Sequence, residues 1–562
     1  MTHHYLLFTV LATWCLSHAN CGFPNVNPTL GEPWPKPQQQ VWDPALFRVD
    51  IDVVPFNITG ETCADLEDAV SRYTNIIASF IAEFRGVTAS RLYASGASHV
   101  GDDPPLLLEQ IEVELRTACS EDQYPEYGMD ESYSLTVNTG DALGRAVIAA
   151  DTIWGAYRGL ETMSQLFYYD PSGAVFVRSG SIVDFPRYSY RGFLLDTGRH
   201  FLSLDVIKQN LDLMAFHKYN VFHWHLVDDP SFPFYSVRFP LFVLGAFRED
   251  KIYSPDQVAD VIEYARKRGI RVIPEMDTPG HTRSWNSYDI LTRCYTDGEP
   301  DGTFGPLDPT NSSIYSLITD LLDEVTQRFP DRSVHIGGDE VSFGYDCWLS
   351  NPGVQAWMAE RNYTTPQEVE AEYITNLLEV VAGLPEKPQY MVWQDVVDQG
   401  ITIKEDAIVH VWKEPEWQAE MDKVTSLGHR TVLSSCWYLN KISYGIDWYK
   451  YYDCEPESFG GSAQQNELII GGEACMWGEY VDDTNVVARS WPRAAAPAER
   501  LWSAKGANSH SEAASHHRLR DSANILSKFK LRIVRGVIFT YMLFTLYFYF
   551  TYIPTYCSNC RP

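Results

Sequence analysis

Past residue 192 the chain settles into an alternation of two apolar patterns. One is a short, nearly continuous apolar run that ends in polar or aromatic residues, the pattern of a buried strand. The other places apolar residues three and four positions apart, the pattern of an amphipathic helix. FLLDTGRH (193–200) is the first predicted strand, and Ser203 then caps a helix with Leu204, Ile207, Leu211 and Met214 on one stripe. VFHWHLVDD (221–229) is the second. Ser254-Pro255-Asp256-Gln257 is a capping box with proline at the first helical position, and that helix is expected to run to Arg268 and stop at Gly269. IRVIPEMD (270–277), SVHIGGDE (333–340), YMVWQDV (390–396), IVHVWK (408–413), TVLSSCWYL (431–439) and LIIGGEACMW (468–477) complete eight strands. Eight strands alternating with helices predict an α/β fold, a (β/α)8 TIM barrel. A doubly wound open sheet is the alternative, but it would gather its site at one switch point. Here polar and aromatic residues end every strand, which favours the barrel.

The first part of the chain reads differently. Residues 20–45, with PWPKPQQQ, are expected to be an extended lead-in. Between about Phe47 and Val183 a mixed α+β domain is predicted. FRVDIDVVPF is read as one strand, 66–84 as a helix, LLEQIEVEL as a strand, and 133–167 as a strand, a glycine-containing turn and a long helix. DFPRYSYRG (184–192) is the expected hinge. The division is thus 1–19, 20–183, 184–535 and 536–562.

Composition places the protein on the secretory route. Met1–Ala19 has the apolar core and small −3 and −1 residues of a signal peptide. The chain has eleven cysteines, of which Cys15 falls in that leader, so several of the others are expected to pair in an oxidising compartment. Asn57, Asn311 and Asn362 begin glycosylation sequons. A net charge of −30 argues against nucleic acid as a partner. The uncharged run Val537–Ile553 stands at the lower length limit for a membrane span, and the basic residues before it would lie on the wrong side for an anchor. Cys557 and Cys560 make a lone C-x-x-C, which is poor support for zinc.

The candidate chemistry lies in Ser333–Phe343, SVHIGGDEVSF. A strand runs into Gly337 and Gly338, and two adjacent carboxylates follow, Asp339 and Glu340. A regular pleat would send them to opposite faces; two glycines allow a bend that turns both toward one cavity. In a barrel the other strand ends join them: Arg199, Asp228, His281, Trp393, Trp412, Tyr438, Trp477 and Glu479. Acids, one arginine and aromatic faces, with no cluster at metal-ligand spacing, suit a sugar, whose apolar faces stack on rings and whose hydroxyls bind charged forks.

HIGGDEV, with LLDTGRHFL, FHWHLVDDPSFP, PEMDTPGHT, WYLN and GGEACMWGEYVD, resembles the family-20 glycoside hydrolases, and the set looks like the animal lysosomal β-N-acetylhexosaminidases. The resemblance spans roughly residues 30–535. It implies a retaining exo-enzyme, lysosomal or secreted, that removes terminal N-acetylglucosamine or N-acetylgalactosamine from glycans. No cofactor or metal is implied, and a homodimer is. Glu340 would be the general acid/base. Asp339 would orient the substrate's own 2-acetamido group as nucleophile, an exception to the usual two-carboxylate scheme. Tyr438 would donate to the acetamido oxygen, and Trp393, Trp412 and Trp477 would wall the sugar. Arg199 would grip its hydroxyls, with Asp228 and Glu479 as further polar contacts and His281 tuning the acid. Asn440 and Lys441 resemble the α-type subunit, where a basic residue accommodates acidic sugars. The resemblance also implies disulfides Cys63–Cys119 and Cys294–Cys347. A chitobiose-degrading enzyme and a non-catalytic glycan-binding or adhesion protein on the same scaffold are the alternatives.

Overall fold

A computed structural model of the protein describes residues 30–85, 106–137, 144–169, 174–443, 447–491 and 493–507. The leader at 1–19, the apolar run 537–553, Cys557 and Cys560 lie outside the described residues.

The N-terminal unit is a mixed sheet covered by helices. Its strands run in the order Phe56–Gly60, Gln110–Leu115, Arg145–Ala150, Tyr133–Val137, Val175–Asp184, Gln39–Arg48 and Leu106–Leu107. Helices Ala64–Arg85 and Ile153–Gln165 share one hydrophobic core with this sheet. The second starts where Thr152 accepts the Gly155 N–H at 3.2 Å. It lies close against the sheet because Gly155 and Gly159 lack side chains: a Cβ would stand 2.1 Å from the Ser132 carbonyl and 2.4 Å from Ile148 Cγ2.

Two expectations for this unit are corrected, and a third, the extended lead-in, is carried further. FRVDIDVVPF is not one strand: Phe47 and Arg48 finish Gln39–Arg48, and Phe56 opens the next. Gln39–Arg48 runs antiparallel along Val175–Asp184, and that pairing finishes where Val49 N–H meets the Val175 carbonyl at 2.9 Å. The lead-in segment, for its part, already joins the sheet from Gln39, because the register shift between Trp42 and Leu46 accommodates Pro44. Residues 145–150, expected to belong to a turn and the start of a helix, are a strand, and the helix starts only at Ile153.

The eight later strands close into a barrel. In chain order they are Tyr190–Asp196, Val221–His225, Arg271–Glu275, Ser333–His335, Gln389–Trp393, Ile408–Val411, Arg430–Leu433 and Ile469–Met476, all parallel, with the eighth pairing back onto the first. Alternation along each strand stacks the interior in layers. Tyr190, Val221, Ile273, Met391, Ile408, Val432 and Ile470 form an apolar floor. Two positions on, His223, Glu275 and His410, with His335 and Glu473, form a buried polar layer; Leu194, Trp393, Tyr438, Cys475 and Trp477 form an aromatic layer. The capping box of Ser254 and Gln257 is present. Both expected disulfides form, and a third joins Cys436 to Cys454. The Cys294–Cys347 bridge ties down a hairpin, Leu291–Thr296 with Glu299–Leu307, that the hydrophobic pattern did not announce.

A buried ionic hub joins the two units. Asp184 accepts from Lys218 Nζ at 2.8 Å, Tyr133 Oη at 2.6 Å and Trp502 Nε1 at 2.9 Å, and both Lys218 and Asp184 are fully buried. Removing one partner of such a pair strands a charge and costs about 3–5 kcal/mol. Asp184→Ala is therefore expected to lower the urea unfolding free energy by about that amount. An unchanged denaturation midpoint would show the hub to be dispensable.

Candidate active site

Two backbone features turn the acidic pair. Gly337 and Gly338 have φ of 70° and 95°, the region where a Cβ is disfavoured. A side chain at Gly337 would meet Asp277 Oδ1 at 1.7 Å, and one at Gly338 would meet Val396 Cγ2 at 2.7 Å. Gly338 N–H donates to Asp277 Oδ1 at 3.0 Å, which pins the bend. Glu340 itself takes a left-handed φ of 53°, rare for a residue with a Cβ. Asp339 and Glu340 thereby face one group: His281 Nε2 lies 3.8 Å from Asp339 Oδ2 and 3.6 Å from Glu340 Oε2.

The rest of the mouth is held by shared charge. Arg199 reaches Asp196 Oδ2 at 3.1 Å and Asp228 Oδ2 at 3.0 Å, and its guanidinium stands 5.0 Å from the centre of the Trp477 ring. Burial opposes the Arg199 charge, but Asp196, Asp228 and Glu479 outweigh it and hold the group above its ordinary value. Asp228 Oδ1 is 3.4 Å from His281 Nδ1. Burial likewise opposes protonation of His281, and Asp277, Asp339 and Asp228 overcome it, so His281 titrates well above an ordinary histidine. Burial, then the neighbouring Asp339 charge, raises Glu340 above the usual carboxyl range. The same two causes raise Asp395, and push Asp277 far up.

Aromatic rings build one wall. Trp412 stacks on Tyr438 at 6.0 Å, Tyr438 is 6.2 Å from Trp477, and Trp477 is 5.8 Å from Trp393. Trp412 Nε1 donates to Asp395 Oδ2 at 2.9 Å. Trp393 is fully buried and donates to Glu275 Oε1 at 2.7 Å, which makes it the base of this wall rather than its face. Asn440, two residues past Tyr438, is held by its carbonyl, which accepts from Arg489 at 3.0 Å. Among the described residues its side chain makes no hydrogen bond to another predicted site residue. Lys441 is ion-paired with Glu414.

Four residues that sequence reasoning passed over organise the site. Asp196 accepts from Gly198, Arg199 and Gly478 backbone N–H groups at 2.9, 3.0 and 2.9 Å. Asp277 braces the glycine bend, Asp395 holds Trp412 and Lys413, and Glu275 holds Trp393 and His225. Asp277 and Asp395 stand at the ends of IRVIPEMD and YMVWQDV, where the strand-end pattern that marks Asp228 also marks them, whereas Asp196 lies inside FLLDTGRH. As for metal binding, His223, Glu275 and His335 bring donor atoms within 4.8 Å of one another, as do Asp277, His281 and Asp339. In the first group both nitrogens of His223 already face carboxylates, at 3.1 and 2.9 Å.

Known proteins match this chain across both units. The glycosyl hydrolase family 20 catalytic domain matches residues 188–505, and the beta-acetyl hexosaminidase like domain matches 33–166. The chain is 42% identical to the beta-hexosaminidase subunit beta of Mus musculus over 481 residues, covering 84% of this chain and 86% of that one. It is 45% identical to the subunit alpha of Mus musculus over 453 residues, covering 78% and 81%. The solved chitobiase of Flavobacterium johnsoniae superposes with a TM-score of 0.74 at 30% identity, over 90% of this chain and 74% of that one. With the paired acids at the mouth of a closed barrel, and matches of this extent, the chain belongs to glycosyl hydrolase family 20.

Proposed function

We propose that the protein is a retaining exo-β-N-acetylhexosaminidase that removes terminal β-linked N-acetylglucosamine or N-acetylgalactosamine by substrate-assisted catalysis. The observation that carries this is the convergence of Asp339 and Glu340 on one side of His281, with the aromatic wall of Trp412, Tyr438 and Trp477 beside them. In the first step the acetamido carbonyl oxygen bonds to the anomeric carbon. The glycosidic bond breaks, and its oxygen leaves with the Glu340 proton. Asp339 orients the amide N–H and offsets the charge of the oxazolinium ring, and Tyr438 donates to the acetamido oxygen. Arg199 and Glu479 hold the hydroxyls, Asp228 steadies Arg199 and His281, and Trp393 backs the wall. Water then attacks the anomeric carbon, gives its proton to Glu340 and reopens the ring, so two inversions give net retention.

Incubation with p-nitrophenyl N-acetyl-β-glucosaminide and NMR of the first sugar released tests this. The β-anomer is expected; the α-anomer first would refute retention, and binding without cleavage would establish a lectin. A 6-sulfated substrate in the same assay asks whether Lys441, despite Glu414, admits acidic sugars.

The relatives in mouse are named as subunits, which supports a homodimer here as a proposal. Lysosomal or secreted residence fits the three cystines and the exposed sequon residues Asn57 and Asn362. Among the described residues no helix is long and apolar enough to cross a membrane.

A further inference from the structure

We propose that a groove on the outer side of Glu340 receives the leaving group of a neutral oligosaccharide, with Phe343 as the platform for its first sugar and a second chamber for the next. This rests on the hexosaminidase reading above. A cavity of about 90 Å³ is lined by Glu340, His281, Arg283 and Phe343 but by neither Asp339, Tyr438 nor any of the wall tryptophans. It therefore lies across the acid from the sugar being cut, where the departing oxygen must be. A second cavity, of about 700 Å³, shares Arg283, Gly305, Phe343 and Gly344 with the first, so the two form one path.

Phe343 stands at their junction and is 79% exposed, whereas its neighbours Val341, Tyr345 and Trp348 are buried. Its position is fixed relative to the acid: Phe343 N–H donates to the Glu340 carbonyl at 3.0 Å within the turn Val341–Gly344. A ring so placed offers an apolar face to a pyranose. The outer chamber carries the hydroxyls of Thr296, Thr303 and Ser350 and the carboxylates of Asp301 and Asp346, groups that bond sugar hydroxyls. Its volume suits a disaccharide-sized ligand. The Cys294–Cys347 bridge crosses its wall and holds the hairpin in place. With Arg283 near Asp229 at 3.6 Å, the path has no surplus of positive charge, which selects a neutral glycan over an anionic one.

The test compares kcat/KM of the full-length protein on methyl N-acetyl-β-glucosaminide, whose leaving group is too small to reach Phe343, with that on the β-1,4 trimer and tetramer of N-acetylglucosamine. The proposal expects Phe343→Ala to lower the trimer-to-methyl ratio about tenfold, which is about 1.4 kcal/mol, and Phe343→Trp to restore it. An equal effect on both substrates, or none on the trimer, would overturn it. So would a Phe343→Ala protein that changes oligomeric state with the ratio unaltered, since the ring would then serve a protein contact. Failure of the wild type to cleave any of the three would instead refute the hexosaminidase reading.

Discussion

Glu340→Gln is expected to slow hydrolysis of an unactivated N-acetylglucosamine disaccharide by about 10³-fold, the usual range for loss of general acid catalysis. The loss should shrink to roughly tenfold when the leaving group is a p-nitrophenolate, which needs little help from a proton. The difference between the two substrates is the informative quantity, because a folding defect would slow both alike. The pH profile carries the same assignment. Burial, then Asp339, raises the pKa of Glu340 in the folded site. A raised pKa keeps the proton on the acid to higher pH, so kcat/KM should hold through the mildly acidic range and fall as pH climbs through that pKa. In the Gln variant, which has no proton to lose there, the alkaline fall should disappear or move to the titration of His281. An unaltered profile in the variant would assign the limb elsewhere.

The sequence told most about strand ends and least about strand interiors. Asp339, Glu340, Arg199, Asp228 and His281 were legible because each follows an apolar run at a point where a barrel needs no side chain for packing. The polar layer of His223, His335 and His410 below them was not, although FHWH points into it: His223 and His225 occupy alternate positions and so share the barrel interior, while Phe222 and Trp224 face the helices. Polar residues in the inward register of a central strand look like errors until their partners are known. Those partners, Glu275 and Glu473, come from strands 50 and 250 residues away. Long-range pairing of this kind leaves no periodic trace. Burial opposes the His223 charge, yet Glu473 and Glu275 raise its pKa to about 9, while His410, with burial dominant, falls to about 3. Within the layer His223 is thus the cation, set between Glu275 and Glu473. The hairpin Leu291–Thr296 with Glu299–Leu307 escaped for another reason: most of its residues are exposed or half-buried, so it has no apolar stripe to read.

Asp339→Asn is expected to lower kcat by about 10³-fold with a smaller change in KM, the order lost when one preorganised electrostatic contact to a developing charge is removed. The Asp339 carboxylate lies among three other carboxyl groups. Its charge raises Glu340, Asp395 and Asp277 alike, and its Oδ1 is buried with no protein hydrogen bond. In the proposed mechanism this oxygen accepts the substrate's amide N–H and faces the positive charge that spreads over the oxazolinium ring. Asparagine keeps the shape and removes the charge, so ground-state binding should survive better than turnover. Two measurements separate this role from direct attack. Successive fluorination of the substrate's acetyl group weakens its carbonyl oxygen as a nucleophile, and wild-type kcat should fall steeply with each fluorine; a flat response would remove the acetamido group from the mechanism. In Asp339→Gly, azide should yield no α-glycosyl azide, because no nucleophile site on that face of the sugar has been vacated. Recovery of that product would make Asp339 itself the attacking group, and the amide a bystander.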